Sequence, residues 1–322
     1  MNAFVTGGSG FVGSRLCDAL AAAGWNVKAF DLRPQSHASP SLDFIPGDIR
    51  DAALLLKVIS GDEVVFHLAA ALGASRISPD EFMAVNAGGT RVIMEAARKN
   101  GVRRIVHFSS AGVLGHVKPG DVADERYPLD PRDVYDKTKL AGERAALEFA
   151  ALGLNVVVVR PGWIYGPGDR RTLKLIRSIA RGRFLFPGKG GTLQSPTFID
   201  DLVAGTMLCA DRGRAGEIYN IAGKEALTVR QMAETIAATL GKRLPRFHLP
   251  MGPTRAAAWA MGKAFGLVGR EAPLNPSRLA FFVHPKALKI DKARAELGFE
   301  PKVDFTEGMA RAVAWYREAG WI

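Results

Sequence analysis

The stretch Thr6-Gly7-Gly8-Ser9-Gly10-Phe11-Val12-Gly13 decides the fold of this chain. It follows the strand-like run Ala3–Thr6 and opens a run with helical spacing, Phe11–Ala23. Its first, third and last glycines allow a tight turn, close approach of a pyrophosphate and close packing of helix on strand. The helix start adds unpaired N–H groups and a partial positive charge. The stretch therefore predicts a dinucleotide site at the end of the first strand.

The rest of the first half alternates short apolar runs with longer runs of helical spacing. Further strands are predicted at Val27–Asp31, Phe44–Pro46, Val64–His67, Ile105–Ser109 and Asn155–Arg160. Further helices are predicted near Ala52–Ile59, Phe82–Asn100 and Tyr135–Ala151. This alternation is typical of βαβ units, whose right-handed crossovers place helices on both faces of a parallel sheet. We expect an α/β fold, a Rossmann-type doubly wound parallel sheet with a smaller, interleaved C-terminal substrate-binding region.

The alternation loosens after Arg160, where Pro and Gly cluster at residues 161–168 and 187–191. Later helices are predicted near Leu173–Arg181, Ile199–Ala210, Val229–Leu240, Thr254–Phe265 and Thr306–Glu318, with a strand at Glu217–Ile221. We predict a cofactor-binding Rossmann domain over residues 1–165 and a mainly substrate-binding region over residues 166–322. Segments near residues 195–225 are expected to return to the main sheet.

Composition narrows the class of protein. The net charge is +11, but no aromatic-basic nucleic-acid module is visible, so we expect scattered surface Arg and Lys and no nucleic-acid partner. The chain opens directly on a strand and has no run of 18 apolar residues, so we expect a cytoplasmic protein without a spanning helix. Cys17 and Cys209 lack CxxC spacing and the histidines lack ligand spacing, so no metal is expected. His67 and His107 lie in apolar strands, which favours core packing.

Two acidic positions refine the prediction for the cofactor. Asp31 ends the second strand, where a carboxylate can accept hydrogen bonds from adenosine ribose hydroxyls and would repel a 2′-phosphate. NAD is therefore favoured over NADP, although Arg33 nearby is able to tolerate a phosphate. Asp48 is either an acceptor for the adenine amino group, with Ile49 packed on the ring, or the N-cap of the next helix.

The predicted catalytic pair is Tyr135 and Lys139, which share one face of a helix because they are four residues apart. An ammonium group beside the phenol, together with a positive nicotinamide ring, lowers the phenol pKa toward the working range. Ser110 follows the fifth strand, where a hydroxyl group can hold the substrate oxygen. Asn86 either orients Lys139 through a water or bridges backbone within its own helix.

These pieces, in this order, resemble the extended short-chain dehydrogenase/reductase superfamily, the NAD-dependent epimerase/dehydratase family. The resemblance extends to the runs His67-Leu68-Ala69-Ala70, Arg160–Pro167, Phe198–Leu202 and Asp291–Gly298. It implies Tyr135 as acid/base, Lys139 as its partner and Ser110 as substrate anchor. The cofactor-binding residues that we expect for NAD are Gly7, Gly10, Phe11, Val12, Gly13, Asp31, Arg33, Asp48, Ile49, Leu68, Ala69, Ala70, Asn86, Ser109, Tyr135, Lys139, Pro161 and Ile164.

Several positions depart from the pattern of the sugar-nucleotide members. Trp163 stands where those members carry an Asn that holds the diphosphate, and Gln194 stands where they carry an Arg. The run Phe281–Lys286 replaces an R-P-G-D segment, and Ala111-Gly112 replaces the Asp-Glu pair of the dehydratases, so we expect no second acid/base group. These departures resemble the 3β-hydroxysteroid dehydrogenase-like branch, with Trp163 as an apolar wall. The expected substrate-binding residues are Ser110, Tyr135, Trp163 and Gln194.

The expected function is NAD-dependent hydride transfer between nicotinamide and a hydroxyl or ketone of a bulky, apolar small-molecule substrate. The alternative is a nucleotide-sugar 4-epimerase or a related sugar-nucleotide-modifying enzyme, and a remote alternative is a non-catalytic NAD-responsive regulator. The resemblance also implies a homodimer. The apolar run 253–269 is interpreted as a substrate lid, a peripheral membrane contact, or a helix packed on the core or at a subunit contact.

Overall fold

A parallel sheet of seven strands forms the centre of the protein, in a computed structural model that describes residues 1–34, 42–61, 63–72, 77–245, 247–267 and 276–322. In spatial order the strands are β3 (Asp43–Pro46), β2 (Asn26–Asp31), β1 (Asn2–Thr6), β4 (Glu63–His67), β5 (Arg104–Phe108), β6 (Val156–Pro161) and β11 (Ile218–Ile221). The order reverses between β1 and β4, which is where doubly wound sheets bind ligands. This sheet confirms the predicted fold class.

Helices cover both faces of the sheet. One face carries α1 (Phe11–Ala22), α7 (Ile199–Arg212) and α11 (Asp291–Leu297), and the other carries α2 (Ala52–Val58), α4 (Gly89–Lys99) and α5 (Val134–Ala151). The sheet strands are apolar on both sides because both faces are buried, as β6 shows with six buried residues in a row. His67 and His107 lie in this core, as predicted.

The predicted helix Phe82–Asn100 is three elements in the structure. A short helix, α3 (Pro79–Met83), continues into one turn of π-helix at Ala84–Gly88 before α4 begins. Such a bulge adds one residue to the turn and is common at functional sites. Here it carries Asn86, whose backbone oxygen packs so closely on α5 that a Cβ at Gly142 would lie 2.6 Å from it.

A second, smaller core lies beside the C-terminal ends of the sheet strands. Its strand pairs join β7 (Trp163–Tyr165) to β10 (Pro196–Phe198), β8 (Phe186–Pro187) to β13 (His248–Leu249), and β9 (Leu193–Gln194) to β12 (Leu227–Thr228). Its helices are α6 (Arg170–Ala180), α8 (Val229–Thr239), α9 (Met251–Leu267), α10 (Pro276–Val283) and α12 (Phe305–Glu318). We call this part the annex. The chain passes from the annex back to the main sheet through α7 and β11, and the boundary at residue 165 stays a prediction.

Cys17 and Cys209 are buried free thiols. Among the described helices, none is long and apolar enough to cross a bilayer. The described residues also contain no group of three or more side chains able to hold a metal ion.

Candidate active site

The glycine-rich turn between β1 and α1 is shaped by close backbone contacts. Gly7 has φ +73°, and a Cβ there would lie 2.8 Å from the backbone nitrogen of Ala69. A Cβ at Gly13 would overlap the Gly7 carbonyl group, lying 2.8 Å from its carbon. Gly10 is the N-cap of α1 and provides no side-chain cap, while Phe11 and Val12 are only partly buried. This arrangement leaves the first turn of α1 open to an anionic group.

Asp31 links the glycine-rich turn to the end of β2. Its Oδ2 accepts a hydrogen bond from the Ser9 N–H at 3.1 Å, and its Oδ1 accepts one from the Leu32 N–H at 2.7 Å. Each carboxylate oxygen retains a lone pair for a further donor, which is the capacity that two ribose hydroxyls require. Arg33 is exposed two residues further on.

Asp48 is not a helix N-cap, which corrects one of its two interpretations. The cap of α2 is Asp51, which accepts from the Leu54 N–H at 3.0 Å. Asp48 instead pairs with Arg50 at 2.6 Å, and the hydrogen bond from that guanidinium lowers the pKa of the Asp48 carboxyl. Ile49 is buried against Gly89 at the start of α4. Contact of either residue with adenine stays a prediction.

The first residues of the loop after β4 are held by polar side chains. Thr6 Oγ1 accepts from the Ala69 N–H at 3.2 Å, and Asn86 Oδ1 accepts from the Ala71 N–H at 2.7 Å. Asn86 also donates through Nδ2 to Thr138 Oγ1 at 2.9 Å. It therefore joins this loop to the helix of Tyr135, rather than bridging backbone within its own helix. Leu68, Ala69 and Ala70 are half-buried along the loop.

Tyr135 and Ser110 are brought together at the sheet edge. Ser110 follows β5 and caps the short 3₁₀ helix Ala111–Leu114, accepting from the Gly112 N–H at 3.0 Å. Its hydroxyl is also close enough to the Tyr135 phenol, in the first turn of α5, to lower the pKa of that phenol. Burial nevertheless raises the pKa of Tyr135. The phenol is thus protonated at neutral pH and able to donate a proton.

Lys139 is buried one turn after Tyr135, and its Nζ donates to the Phe108 carbonyl oxygen. Burial lowers the pKa of Lys139 to about 8, an effect that the Glu143 carboxylate opposes. The ammonium group of Lys139 hydrogen-bonds a carbonyl group at the end of β5. Lys139 was expected to lower the pKa of Tyr135, but burial has the larger effect and raises that pKa. The lysine is nonetheless positioned at the same end of the sheet as Ser110.

The structure adds a carboxylate that the sequence analysis missed. Asp136 is buried, and a Cβ at Gly112 would lie 2.6 Å from its carboxyl carbon. Its Oδ2 pairs with Lys286 Nζ at 3.3 Å, while burial raises the pKa of the carboxyl. Asp136 occupies the space that a side chain at Gly112 would fill, and the expectation that no second acid/base group acts here stays a prediction. The sequence feature that could have indicated this buried carboxylate is a polar residue at a helix position that faces the sheet.

Trp163 and Gln194 have different surroundings. Trp163 is half-buried in an aromatic cluster, stacked on Tyr165 with ring centroids 5.8 Å apart and tilted against Phe281 at 5.2 Å. Gln194 is buried, and its Nε2 donates to the carbonyl oxygens of Phe281 and His284, both at 2.9 Å. The side chain of Gln194 thus fixes the segment after α10, and its predicted contact with substrate stays a prediction.

A cavity of about 590 Å³ lies between the annex and residues 116–120. Most of its walls are apolar or backbone, including Pro187, Leu193, Met251, Phe282 and Val283. Basic groups also line it, namely His116, Lys189, His248 and Arg255. The His116 and His284 rings share a hydrogen bond between their Nδ1 atoms at 3.1 Å. The volume is in the range of pockets for drug-sized ligands.

The residues present fit a dinucleotide. The glycine contacts exclude side chains from the turn, and Asp31 keeps acceptor capacity. Ser109 adds a buried hydroxyl oxygen without a hydrogen-bond partner among the described residues. Pro161, at the end of β6, is buried and Ile164 is half-buried nearby in sequence. An unpartnered buried hydroxyl at the strand ends is explained if a bound ligand supplies its partner.

Comparison with known proteins identifies the family. Residues 3–222 match the model of the NAD dependent epimerase/dehydratase family. A 4-hydroxy-2-methyl-3-oxo-4-farnesyl-3,4-dihydroquinoline-1-oxide ketoreductase of Stigmatella aurantiaca is 32% identical over 96% of this chain and 95% of its own. A 3 beta-hydroxysteroid dehydrogenase/Delta 5-->4-isomerase of Mycobacterium tuberculosis is 30% identical over 97% of this chain and 89% of its own.

A solved structure gives the same result for the fold. MoeE5 in complex with UDP-glucuronic acid and NAD has a TM-score of 0.80 and 30% identity, covering 99% of this chain and 100% of its own. The chain therefore belongs to the NAD-dependent epimerase/dehydratase family and is an NAD-dependent enzyme of the extended short-chain dehydrogenase/reductase type.

Proposed function

We propose that the protein transfers a hydride between NAD and a hydroxyl or ketone of a bulky, largely apolar substrate. The observation that carries this proposal is the aromatic cluster of Trp163, Phe281 and Phe282, which precedes Lys286, the ion-pair partner of Asp136. Trp163, Phe281 and Phe282 stand at positions where sugar-nucleotide members are expected to contact phosphate, and Phe282 lines the cavity. Flat apolar side chains favour a lipophilic ligand.

Tyr135 and Ser110 act on the substrate oxygen in this proposal. NAD, when bound, supplies or accepts the hydride at C4 of its nicotinamide ring. In the direction of reduction, the oxygen of the ketone takes the proton of the Tyr135 phenol as its carbon gains the hydride, and solvent then reprotonates the phenolate. Ser110 holds the oxygen by a hydrogen bond, and Lys139 stabilises the transient phenolate as an ammonium group.

The cofactor site is proposed at the open end of the sheet. The first turn of α1, with Gly7, Gly10 and Gly13, would hold the pyrophosphate, and Asp31 would hold the adenosine ribose. The further proposed contacts are Phe11, Val12, Arg33, Asp48, Ile49, Leu68, Ala69, Ala70, Asn86, Ser109, Pro161 and Ile164. Asn86 acts by fixing the loop of Leu68–Ala70 through Ala71.

A nucleotide-sugar 4-epimerase is the second candidate. The observation that favours it is the set of cations along the cavity, Lys189 and Arg255 with His116, which could neutralise a diphosphate. Its proton chemistry would use the same Tyr135 and Ser110. A regulator that binds NAD without turnover is disfavoured because both Tyr135 and Lys139 are in place.

Two measurements separate the candidates. Loss of NADH absorbance should follow addition of bulky alicyclic or polyprenyl ketones. Thermal shift with UDP and dTDP should show no stabilisation beyond that of a simple anion such as pyrophosphate. Strong stabilisation by either nucleoside diphosphate, without turnover of ketones, would reassign the protein to the sugar-nucleotide enzymes. Bound NAD without turnover of either class would favour the regulator.

Assembly and location are part of the same proposal. We propose a homodimer that works in the cytoplasm, supported by the family to which the chain belongs. Light scattering of the purified protein tests the dimer, because a mass near the 34.6 kDa of one chain would exclude it.

A further inference from the structure

The positive charge of the chain is concentrated in two segments rather than scattered, contrary to expectation. Residues 170–199 contain seven Arg and Lys residues and no acidic residue, and residues 235–270 contain six and none. The whole chain has a net charge of +11, so the remainder is close to neutral. Solubility alone does not explain why the positive charge is concentrated in two segments.

The two basic segments meet in space. Strands β8 and β13 pair in parallel with Phe186 opposite His248, so the residues that precede both strands lie at the same edge. Exposed cations precede β8 at Arg181 and Arg183, and others precede β13 at Lys242 and Arg243. The pairing therefore gathers positive charge from distant parts of the sequence on one side of the annex.

Helix α9 begins two residues after the end of β13. The residues that face the protein recur at helical spacing, with Thr254 and Ala258 buried. The outward face carries Arg255, Trp259 and Lys263, four residues apart, and the Lys263 ammonium lies 5.8 Å from the Trp259 ring. The helix contains no acidic residue. A tryptophan between two cations on an exposed helix face is typical of helices that lie in a membrane interface.

Exposed apolar side chains accompany these cations. Trp259 is 63% exposed, Phe247 62% and Leu185 40%. Leu185 and Phe247 each precede their strand of the β8–β13 pair by one residue, so they are neighbours across it. We define the basic aromatic face as Leu185, Lys189, Phe247, Arg255, Trp259 and Lys263. Lys189 and Arg255 also line the cavity of about 590 Å³, so this face adjoins that cavity.

We propose that the basic aromatic face docks the protein on the surface of an anionic lipid bilayer, with the cavity beside the docked surface. The cations complement anionic headgroups, and Trp259, Phe247 and Leu185 enter the boundary between headgroups and acyl chains. A second copy of the chain is a poor occupant because a twofold interface would set like charges against each other. The benefit of docking rests on the proposed apolar substrate, which would partition into the same bilayer.

Vesicle binding of the full chain tests this proposal. Co-sedimentation should be strong with vesicles of equal parts phosphatidylcholine and phosphatidylglycerol, and weak with phosphatidylcholine alone. Lys263→Glu should weaken binding roughly fivefold or more, as expected for loss of one cation near the surface. Trp259→Ser should weaken it by about tenfold, as expected for one large apolar side chain that no longer leaves water. Vesicles with brominated acyl chains should quench wild-type fluorescence more than that of Trp259→Phe.

Matched controls lie on the opposite domain. Leu152 is as exposed as Trp259, and Lys99 is exposed at the end of α4. Leu152→Ser and Lys99→Glu should bind vesicles as the wild type does. Equal weakening by the control variants, or absence of binding to anionic vesicles, would overturn the proposal. Two further results would overturn it. If Trp259→Ser loses a dimer and the wild type binds no vesicles, the face belongs to a second copy of the chain. Tighter binding to RNA than to vesicles would also contradict docking on a bilayer.

Failure of docking and failure of the proposed function are distinguishable. A protein that reduces a soluble bulky ketone but ignores vesicles retains its function and lacks the docking. A protein that binds anionic vesicles through Trp259 and Lys263 yet turns over only nucleotide sugars retains the docking and refutes the apolar substrate.

Discussion

Substitution of Gly13 by alanine tests whether the turn between β1 and α1 is built for a pyrophosphate. Alanine is favoured over glycine inside a helix by about 1 kcal/mol, which alone would stabilise α1. The added Cβ, however, would overlap the Gly7 carbonyl oxygen and would lie 2.8 Å from the Gly7 carbonyl carbon. Both are backbone atoms that cannot rotate away, and the oxygen must move by more than about 1 Å to reach ordinary contact.

The two effects have opposite signs, and the steric one should dominate. Overpacking of this kind costs about 1–3 kcal/mol, so the gain in helix propensity offsets only part of it and we expect a net loss of roughly 1–2 kcal/mol in the free energy of unfolding. The displaced Gly7 backbone should also weaken NAD binding by at least about tenfold, equal to about 1.4 kcal/mol. Urea unfolding without NAD measures the first quantity, and calorimetric titration with NAD measures the second.

Gly10→Ala is the matched control because its added Cβ meets nothing closer than the Gly7 carbonyl oxygen at 3.1 Å. Gly10 has φ −75°, which alanine adopts readily. Its stability in urea should therefore fall less than that of Gly13→Ala, whereas NAD binding should fall because a side chain is added at the turn proposed to hold the pyrophosphate. Wild-type affinity for NAD in both variants would refute this assignment of the cofactor site.

Three further predictions concern the catalytic residues and their support. Ser110→Ala should lower kcat by about 10²-fold with little change in NAD affinity, and a loss below about tenfold would argue against its hold on the substrate oxygen. The rate of reduction should fall as pH rises past about 8, because Lys139 then loses its charge. Lys139→Arg should abolish that fall, and an unchanged pH–rate profile in the arginine variant would contradict the role of the Lys139 charge. Arg160→Met should lower the free energy of unfolding in urea by about 3–5 kcal/mol, because it leaves Glu143 buried without its partner at 2.9 Å. The double variant with Glu143→Gln should recover part of that loss. A loss near the ~0–1 kcal/mol of a surface ion pair would contradict this reasoning.

Local patterns predicted most of the main sheet. Glycine spacing, β-branched runs and helix periodicity all depend on residues close together in sequence, and they located β1 to β6 within a few residues. The same patterns could not reveal the π-helical turn at Asn86, which lies where the chain packs on α5 at Gly142, a contact between segments distant in sequence. They offered only Asp48 as a possible cap of α2, whereas Asp51 caps it.

The predictions for the substrate side were weaker because they depend on contacts between distant segments. Asp136 is adjacent to Tyr135 in sequence, yet its place beside Gly112 and Lys286 follows from how α5 packs on the 3₁₀ turn and the annex. The amide of Gln194 holds the Phe281–His284 segment, a contact that only the fold reveals, and its predicted contact with substrate stays a prediction. The concentration of charge in residues 170–199 was visible in the sequence, but its meeting with residues 235–270 requires the β8–β13 pairing.

Single-turnover reduction by Tyr135→Phe tests the central claim most directly. The phenol proton is the group that the site offers to a substrate oxygen, and the variant removes that proton while leaving the ring and its packing. We expect the hydride-transfer rate to fall by about 10²–10⁴-fold, with NAD affinity and urea unfolding close to the wild type. A hydride-transfer rate within about tenfold of the wild type, under saturating NADH, would contradict the assignment of Tyr135 as the proton donor.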